Sequence, residues 1–182
     1  MGTFRENLGM GEILEFVNDA NQVIGKAPRG EVHQKGLQHR SAHVFLLNSR
    51  GEIYLQKRSL SKSEHPGYFD SSAAGHLQPD ETYGACAMRE LKEELGIEAP
   101  VLIPLGVQKT PDKKSVEHAM LYLCRSDEPP QPNPEEVESG TFYPLVKIDT
   151  WIEQGGRELT PAFMILFQTY RHQIGDWSRE HP

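Results

Sequence analysis

Only two cysteines occur in the 182-residue chain, Cys86 and Cys124, each inside an otherwise apolar stretch. Such thiols read as buried and free rather than as a disulfide framework, which favours a reducing compartment. No stretch approaches the roughly 18 apolar residues of a membrane span. The N-terminal MGTFRENLGMGEILEF has no apolar run of the signal-peptide kind. An excess of basic residues is also missing. The formal net charge is −7, which argues against a binder of nucleic-acid polymers but leaves room for a small anion held by a few local cations. Internal repeats and low-complexity tracts are absent. The expectation is a cytoplasmic chain with no membrane partner, whose 37 % apolar residues suffice for one core.

What is present reads as strands and helices in irregular alternation. ILEFVN (13–18) and VIGKAP (23–28) flank the turn DANQ as a hairpin. RGEVHQKG (29–36) is one helical turn or a loop. AHVFLLN (42–48) and EIYLQKR (52–58) form a second hairpin across SRG. A loop, 59–70, contains Pro66 and Gly67, and SSAAGHL (71–77) is a short strand. Residues 82–95 form the strongest helix, with Gly96 as its stop. VLIPLGVQ (101–108) and VEHAMLYLC (116–124) are strands around the charged turn TPDKK, and 128–134 is a proline-rich connector. TFYPL (141–145) is the last strand, and helices follow at 146–154 and 161–173. This is an α/β (α+β) layered domain with a mixed sheet. It spans 11–176, between tails at 1–10 and 177–182. Phe163, Leu166, Phe167 and Tyr170 form an apolar stripe that is either core or the face of a homodimer.

In RELKEELG, Glu90, Glu93 and Glu94 fall within an arc of about 100° on a helical wheel, while Met88, Leu91 and Leu95 fall on an adjoining face expected to pack into the core. Like charges three and four residues apart cost roughly 0.2–0.5 kcal/mol per pair. A solvated acidic face tolerates that cost; so does a face that gathers cations. Carboxylate oxygens are hard ligands suited to Mg²⁺ or Mn²⁺. Such ions clamp the oxygens of a diphosphate and acidify a bound water.

The surroundings favour the second reading. From Gly75 the chain runs GHLQPDETYGACAMRELKEELGI: a glycine, five residues, Glu81, seven residues, then Arg89 to Ile97. This stretch, 75–97, resembles the signature box of the Nudix hydrolases. The resemblance implies an α-β-α sandwich with a central mixed sheet. It further implies a Mg²⁺ (or Mn²⁺) cofactor, and a small-molecule substrate in which a nucleoside diphosphate is linked to another moiety. It makes Glu90 and Glu94 the main metal ligands, and Glu93 a third ligand or the group that orients the water. Which of the three acts as general base stays open. Backbone carbonyls near Ala74 and Gly75 would complete the coordination. Glu81 and Arg89 would be an ion pair pinning loop to helix, a supporting role shared with Gly75 and Gly96.

A second resemblance, carried by RGEVHQKGLQHRSAHVFLLN and YLQKRSLSKSEHPGYFDSSAAGHL, is to the isopentenyl-diphosphate isomerase branch of the same superfamily and to hydrolases near it. It implies a metal held by His33, His39, His76 and Glu117. Two departures oppose an isomerase. Ala74 stands where a catalytic cysteine is needed, and Ala119 where a second glutamate would ligate. The alternatives kept are therefore an isomerase-like enzyme and a non-catalytic nucleotide-binding module. Substrate contacts are expected from Arg58, Lys57, Lys62, His39 and His76. Arg58 is preferred because a guanidinium grips phosphate through two parallel bonds. Glu117 is an additional metal ligand or base. His43 reads as an ordinary strand residue. Tyr68 and Phe69 stack a base or, more commonly, cover core.

Overall fold

The computed structural model describes residues 11–98, 101–113 and 115–181; the tail expected at 1–10 lies outside them. Within them the chain forms β1 (Ile13–Val17), β2 (Val23–Pro28), α1 (Arg29–Gln34), β3 (His39–Leu47), β4 (Ile53–Arg58), β5 (Phe69–Asp70), β6 (Ala73–His76), α2 (Tyr83–Leu95), β7 (Ile103–Asp112), β8 (Ser115–Arg125), β9 (Val137–Tyr143), α3 (Leu145–Glu153) and α4 (Pro161–Glu180). The mixed α/β sandwich expected from the sequence is the fold observed.

Strand β3 organises it. It runs parallel to β8 from His39–Glu117 to Leu47–Arg125, and antiparallel to β6 from Ser41–His76 to Val44–Ala73. It touches β4 only at Leu47–Ile53. Strands β6 and β4 thus share one edge of β3 and diverge from each other, opening a gap in the sheet. Alternation along β3 sends Ala42, Val44 and Leu46 to one face, where they pack with Cys86, Ala87, Leu91 and Leu95 of α2. Met88, expected in that core, is instead exposed, and Cys86 and Ala87 complete the buried face. Phe45 and Leu47 face the other way, onto Phe163, Leu166, Phe167 and Ile174 of α4.

The apolar stripe of α4 is therefore core, and no dimer face remains in it: Phe163 and Leu166 are fully buried and Tyr170 is 9 % exposed. Both long helices start on threonine caps, Thr82 accepting from Ala85 N and Thr160 from Phe163 N. Several boundaries differ from those expected. Helix α4 continues past 173 to Glu180, because Ile174 and Trp177 still pack on the core. Residues 177–180, expected as tail, are thus helical. The TPDKK turn is largely strand, with Thr110 pairing Glu117 and Asp112 pairing Ser115. Pro104 is accommodated at a register shift beside Gly106. Strand β5, inside the expected loop 59–70, is only two residues long. It is held by pairing to Gln56 and Lys57, which no local pattern announces.

Gly96 closes α2 at φ 67°, its N–H bonded to the Lys92 carbonyl. Gly30 in α1 has open space around a would-be Cβ and an ordinary helical φ. Gly96→Ala should lower stability in urea by about 1 kcal/mol, whereas Gly30→Ala should be neutral or stabilising by up to about 1 kcal/mol.

Candidate active site

The fold gives the three glutamates of α2 different surroundings. Glu94 is 3 % exposed and reaches the gap between β4 and β6. There its Oε2 accepts from Gln56 Nε2 at 2.7 Å and from the Ala74 N–H at 3.1 Å. Among the described residues no cation lies within ion-pair distance of it. Burial, with the nearby charge of Glu90, pushes its carboxyl up to about 8. Glu90 lies against Gly75, where any Cβ would overlap its carboxylate. Its carboxyl is also raised by burial, against the opposing pull of Arg89. Glu93 is the exposed member, 3.3 Å from Arg89 Nη1.

Arg89 ties the box together. Its Nε and Nη2 each donate to Glu81 at 2.9 Å, Nη2 also donates to the His76 carbonyl at 3.2 Å, and Nη1 reaches Glu90 at 2.5 Å. Glu81 and Arg89 are ion-paired, Gly75 lies against Glu90, and Gly96 ends α2. Ala74 donates its N–H to Glu94 at 3.1 Å, and the neighbouring Gly75 carbonyl faces the Cys86 thiol at 3.6 Å.

A second cluster stands on the α4-facing side of the sheet. His33 on α1, His39 on β3 and His76 on β6 each place one ligand atom within 4.8 Å of the others. Glu117 Oε1 is 3.6 Å from His39 Nε2 and 3.4 Å from His76 Nε2. The outer nitrogens are already engaged. His33 Nδ1 meets Glu64 at 2.7 Å, and His39 Nδ1 donates to the Leu37 carbonyl at 3.1 Å. The Nε2 atoms of His33 and His39 are buried with no partner. Buried imidazole nitrogens that converge with their tautomers fixed from behind suit a metal ion of nitrogen-preferring type. Burial opposes a charge on His76, but the carboxylates of Glu117 and Glu12 outweigh it and raise the imidazole to about 9. Glu117 is half-buried, which alone would raise its carboxyl, yet the histidines hold it well below the usual range. The hydrogen bond to His33 brings Glu64 down to about 2.

Both clusters open on one cleft of about 730 Å³. Arg58 and Lys62 line it, as expected of substrate cations. Arg58 is partly committed, however: Nη1 donates to Asp70 at 3.0 Å and Nε to the Glu64 carbonyl at 3.2 Å. The free two-pronged grip expected of it is therefore not what the fold presents. Lys62 pairs with Glu136, and burial lowers its ammonium pKa. Lys57 does not line the cleft. It points to the opposite side of β4, 3.4 Å from Glu138 on β9, because side chains alternate along a strand. The cleft-side neighbour in the sequence is Gln56, which the sequence reading missed. The preference for Arg58 on the same strand held the clue, since residues two apart share a face. His39 is fully buried, does not line the cleft and stands in the histidine cluster, whereas His76 does line it. Phe69 packs on Tyr143 and Trp151, and neither it nor Tyr68 reaches the cleft wall. Ser41, to which the sequence assigns no role, and His43, which it presents as an ordinary strand residue, also line the cleft.

With this geometry in view, the comparisons with known proteins are consistent. The NUDIX domain family matches residues 37–163, and the chain belongs to that family. Over 131 residues it is 35 % identical to a Nudix hydrolase of Pseudomonas aeruginosa, covering 72 % of this chain and 78 % of that one. Over 159 residues it is 30 % identical to isopentenyl-diphosphate Delta-isomerase 1 of Photorhabdus laumondii, covering 84 % and 90 %. A crystal structure from Deinococcus radiodurans superposes with a TM-score of 0.73 at 27 % identity, covering 87 % of this chain and 99 % of that one. No helix among the described residues is long and apolar enough to cross a membrane.

Because the folded protein raises the Glu94 pKa above its unfolded value, the stabilisation from the protonated form is full below about pH 4.5. It is lost as pH rises through about 8. In chelator, the Tm should fall by roughly 5 °C or more between pH 6 and pH 9. Glu94→Gln should flatten that slope, as followed by differential scanning calorimetry.

Proposed function

We propose that the protein is a divalent-metal-dependent hydrolase of a phosphoanhydride bond, acting on a nucleoside diphosphate linked to another moiety. One observation carries the reading: a buried carboxylate, Glu94, backed only by neutral donors and set beside Glu90 on the wall of a cleft that also holds Arg58 and Lys62. Two carboxylates so close and so dry are stable as anions only with a cation between them and the substrate. Glu90 and Glu94, with Glu93 at the rim, would hold Mg²⁺ or Mn²⁺. That ion, when bound, supplies charge neutralisation on the phosphate oxygens and an acidified water.

The chain's own residues have separable tasks. Gln56 and the Ala74 N–H fix the Glu94 carboxylate. Arg89 orients Glu90. Lys62, and the Nη2 of Arg58 that has no protein partner among the described residues, offer positive charge to the diphosphate. Glu93, exposed at the mouth, is placed to accept a proton from an entering water.

The histidine cluster would hold a second, nitrogen-preferring ion through His33, His39, His76 and Glu117. Its four donors suit tetrahedral Zn²⁺. This cluster, together with the isomerase relatives, favours isomerisation of an isoprenoid diphosphate as a second reading. Ala74 opposes it: a methyl group has no proton to move to or from a carbon–carbon double bond.

Glu94→Gln should lower Mg²⁺-dependent turnover by about 10²–10³-fold or more while circular dichroism stays that of wild type. The measurement is product release over nucleotide sugars, dinucleoside polyphosphates, coenzyme A and isoprenoid diphosphates. Turnover undiminished in the variant would overturn the assignment. For the second ion, His33→Ala should abolish and Glu64→Gln should weaken retention of Zn²⁺ after dialysis, the latter by about 10–100-fold. Atomic absorption reads both.

A further inference from the structure

The cleft side of β3 carries three polar residues in succession, His39, Ser41 and His43, before the core begins at Phe45. His39 belongs to the metal cluster. The other two have no role in the diphosphate chemistry.

Ser41 is 2 % exposed and lines the cleft, yet its hydroxyl has no hydrogen-bond partner among the described residues. A buried hydroxyl left in that state is costly unless something in the cleft completes it. Across β8 it faces Ala119, which leaves room beside it.

His43 is 3 % exposed and also lines the cleft, with its Nδ1 2.8 Å from Ser71 Oγ. Ser71 is fully buried, and its hydroxyl has no other side-chain or backbone partner. If Nδ1 carried the proton, the serine hydrogen would have no acceptor. The serine therefore donates, and the imidazole proton sits on Nε2, the nitrogen not held by the protein. Burial keeps the ring in its neutral form. The result is an oriented, uncharged donor beside an unfilled hydroxyl.

The rest of the wall agrees. Thr110 and Thr160 also line it, their hydroxyls engaged by the Glu117 carbonyl and by Asp70, and the largest apolar side chain lining the cleft among the described residues is Pro161. Among the described residues no Phe, Tyr or Trp lines it. An isoprenoid chain would bury hydrocarbon against the unmet Ser41 hydroxyl and the charged side chains of the wall, and a nucleobase would find only imidazole rings there. A hydroxyl-bearing group completes both Ser41 and His43.

We infer that Ser41 and His43, with Ser71 setting the His43 tautomer, form the recognition subsite for a sugar or polyol carried on the diphosphate. The inference deepens the hydrolase reading and rests on it for the placement of the diphosphate. Sites built to hydrogen-bond a substrate hydroxyl discriminate strongly against analogues that lack it.

The test uses the full chain with Mg²⁺ and three probes: ADP-ribose, UDP-glucose and isopentenyl diphosphate. The wild type should hydrolyse at least one sugar-linked probe with kcat/KM at least about 10-fold above that for isopentenyl diphosphate. Ser41→Ala and His43→Leu should each raise KM for that probe about 10-fold, with kcat changed much less. Ser71→Ala should give a smaller rise in KM, because it frees the tautomer without removing the donor. In parallel, calorimetry with Glu94→Gln should show ADP-ribose or UDP-glucose binding, weakened about 10-fold when His43→Leu is added.

Hydrolysis of the sugar-linked probes with KM unaltered in Ser41→Ala and His43→Leu would overturn the subsite and leave the hydrolase standing. So would equal turnover of isopentenyl diphosphate. If no probe is hydrolysed, the hydrolase reading fails instead. Calorimetry then decides the subsite: binding lost with His43→Leu supports it, and binding unaffected or absent overturns it.

Discussion

A carboxylate in a dry place governs the centre of this molecule. Glu94 lies in the gap where β4 and β6 part, with the amide of Gln56 and one backbone N–H as its immediate partners. Those contacts require β6 to be paired with β3 in its observed register, and they require α2 to lie close enough for Glu90 to rest against Gly75. Helix, short strand and sheet edge are fitted to one another around two negative charges. Neutral donors orient such charges but do not neutralise them. The Arg89 network holds the frame while leaving Glu94 without a cationic partner among the described residues, a partner that the proposed ion would supply.

The chemistry of the box was legible in the sequence because its parts are close in the chain. Three glutamates within five residues of a helix share a side by geometry alone, and Gly75, Glu81 and Arg89 are reached by a single loop. The two faces of the sheet and the burial of the α4 stripe were also foreseeable from periodicity. Gln56, Ser71, Glu64 and Glu12 were not. Each acts on a group brought near by strand pairing or loop closure, so nothing near it in the chain marks it. Lys57 shows the limit from the other side. Charge and proximity to the site favoured it, and a one-residue parity decided against it.

The histidines illustrate a mixed case. Their possible grouping was visible through a family resemblance. Their actual state depends on residues behind them: the Leu37 carbonyl, Glu64 and Glu12, which settle or bias the nitrogen that faces inward. The change from four ordinary imidazoles to three convergent ones and one separate donor, His43, is a matter of register on β3 and of what lies across from each ring.

The two sides of β3 therefore answer to different demands. Ala42, Val44 and Leu46 are committed to seating the glutamate helix, and a change of volume there would be transmitted to Glu90 and Glu94. Ser41 and His43, one residue along in each case, touch none of that packing. A lineage or an engineer is free to vary the cleft wall at two positions of a single strand, 41 and 43, leaving the glutamate helix on its reverse undisturbed.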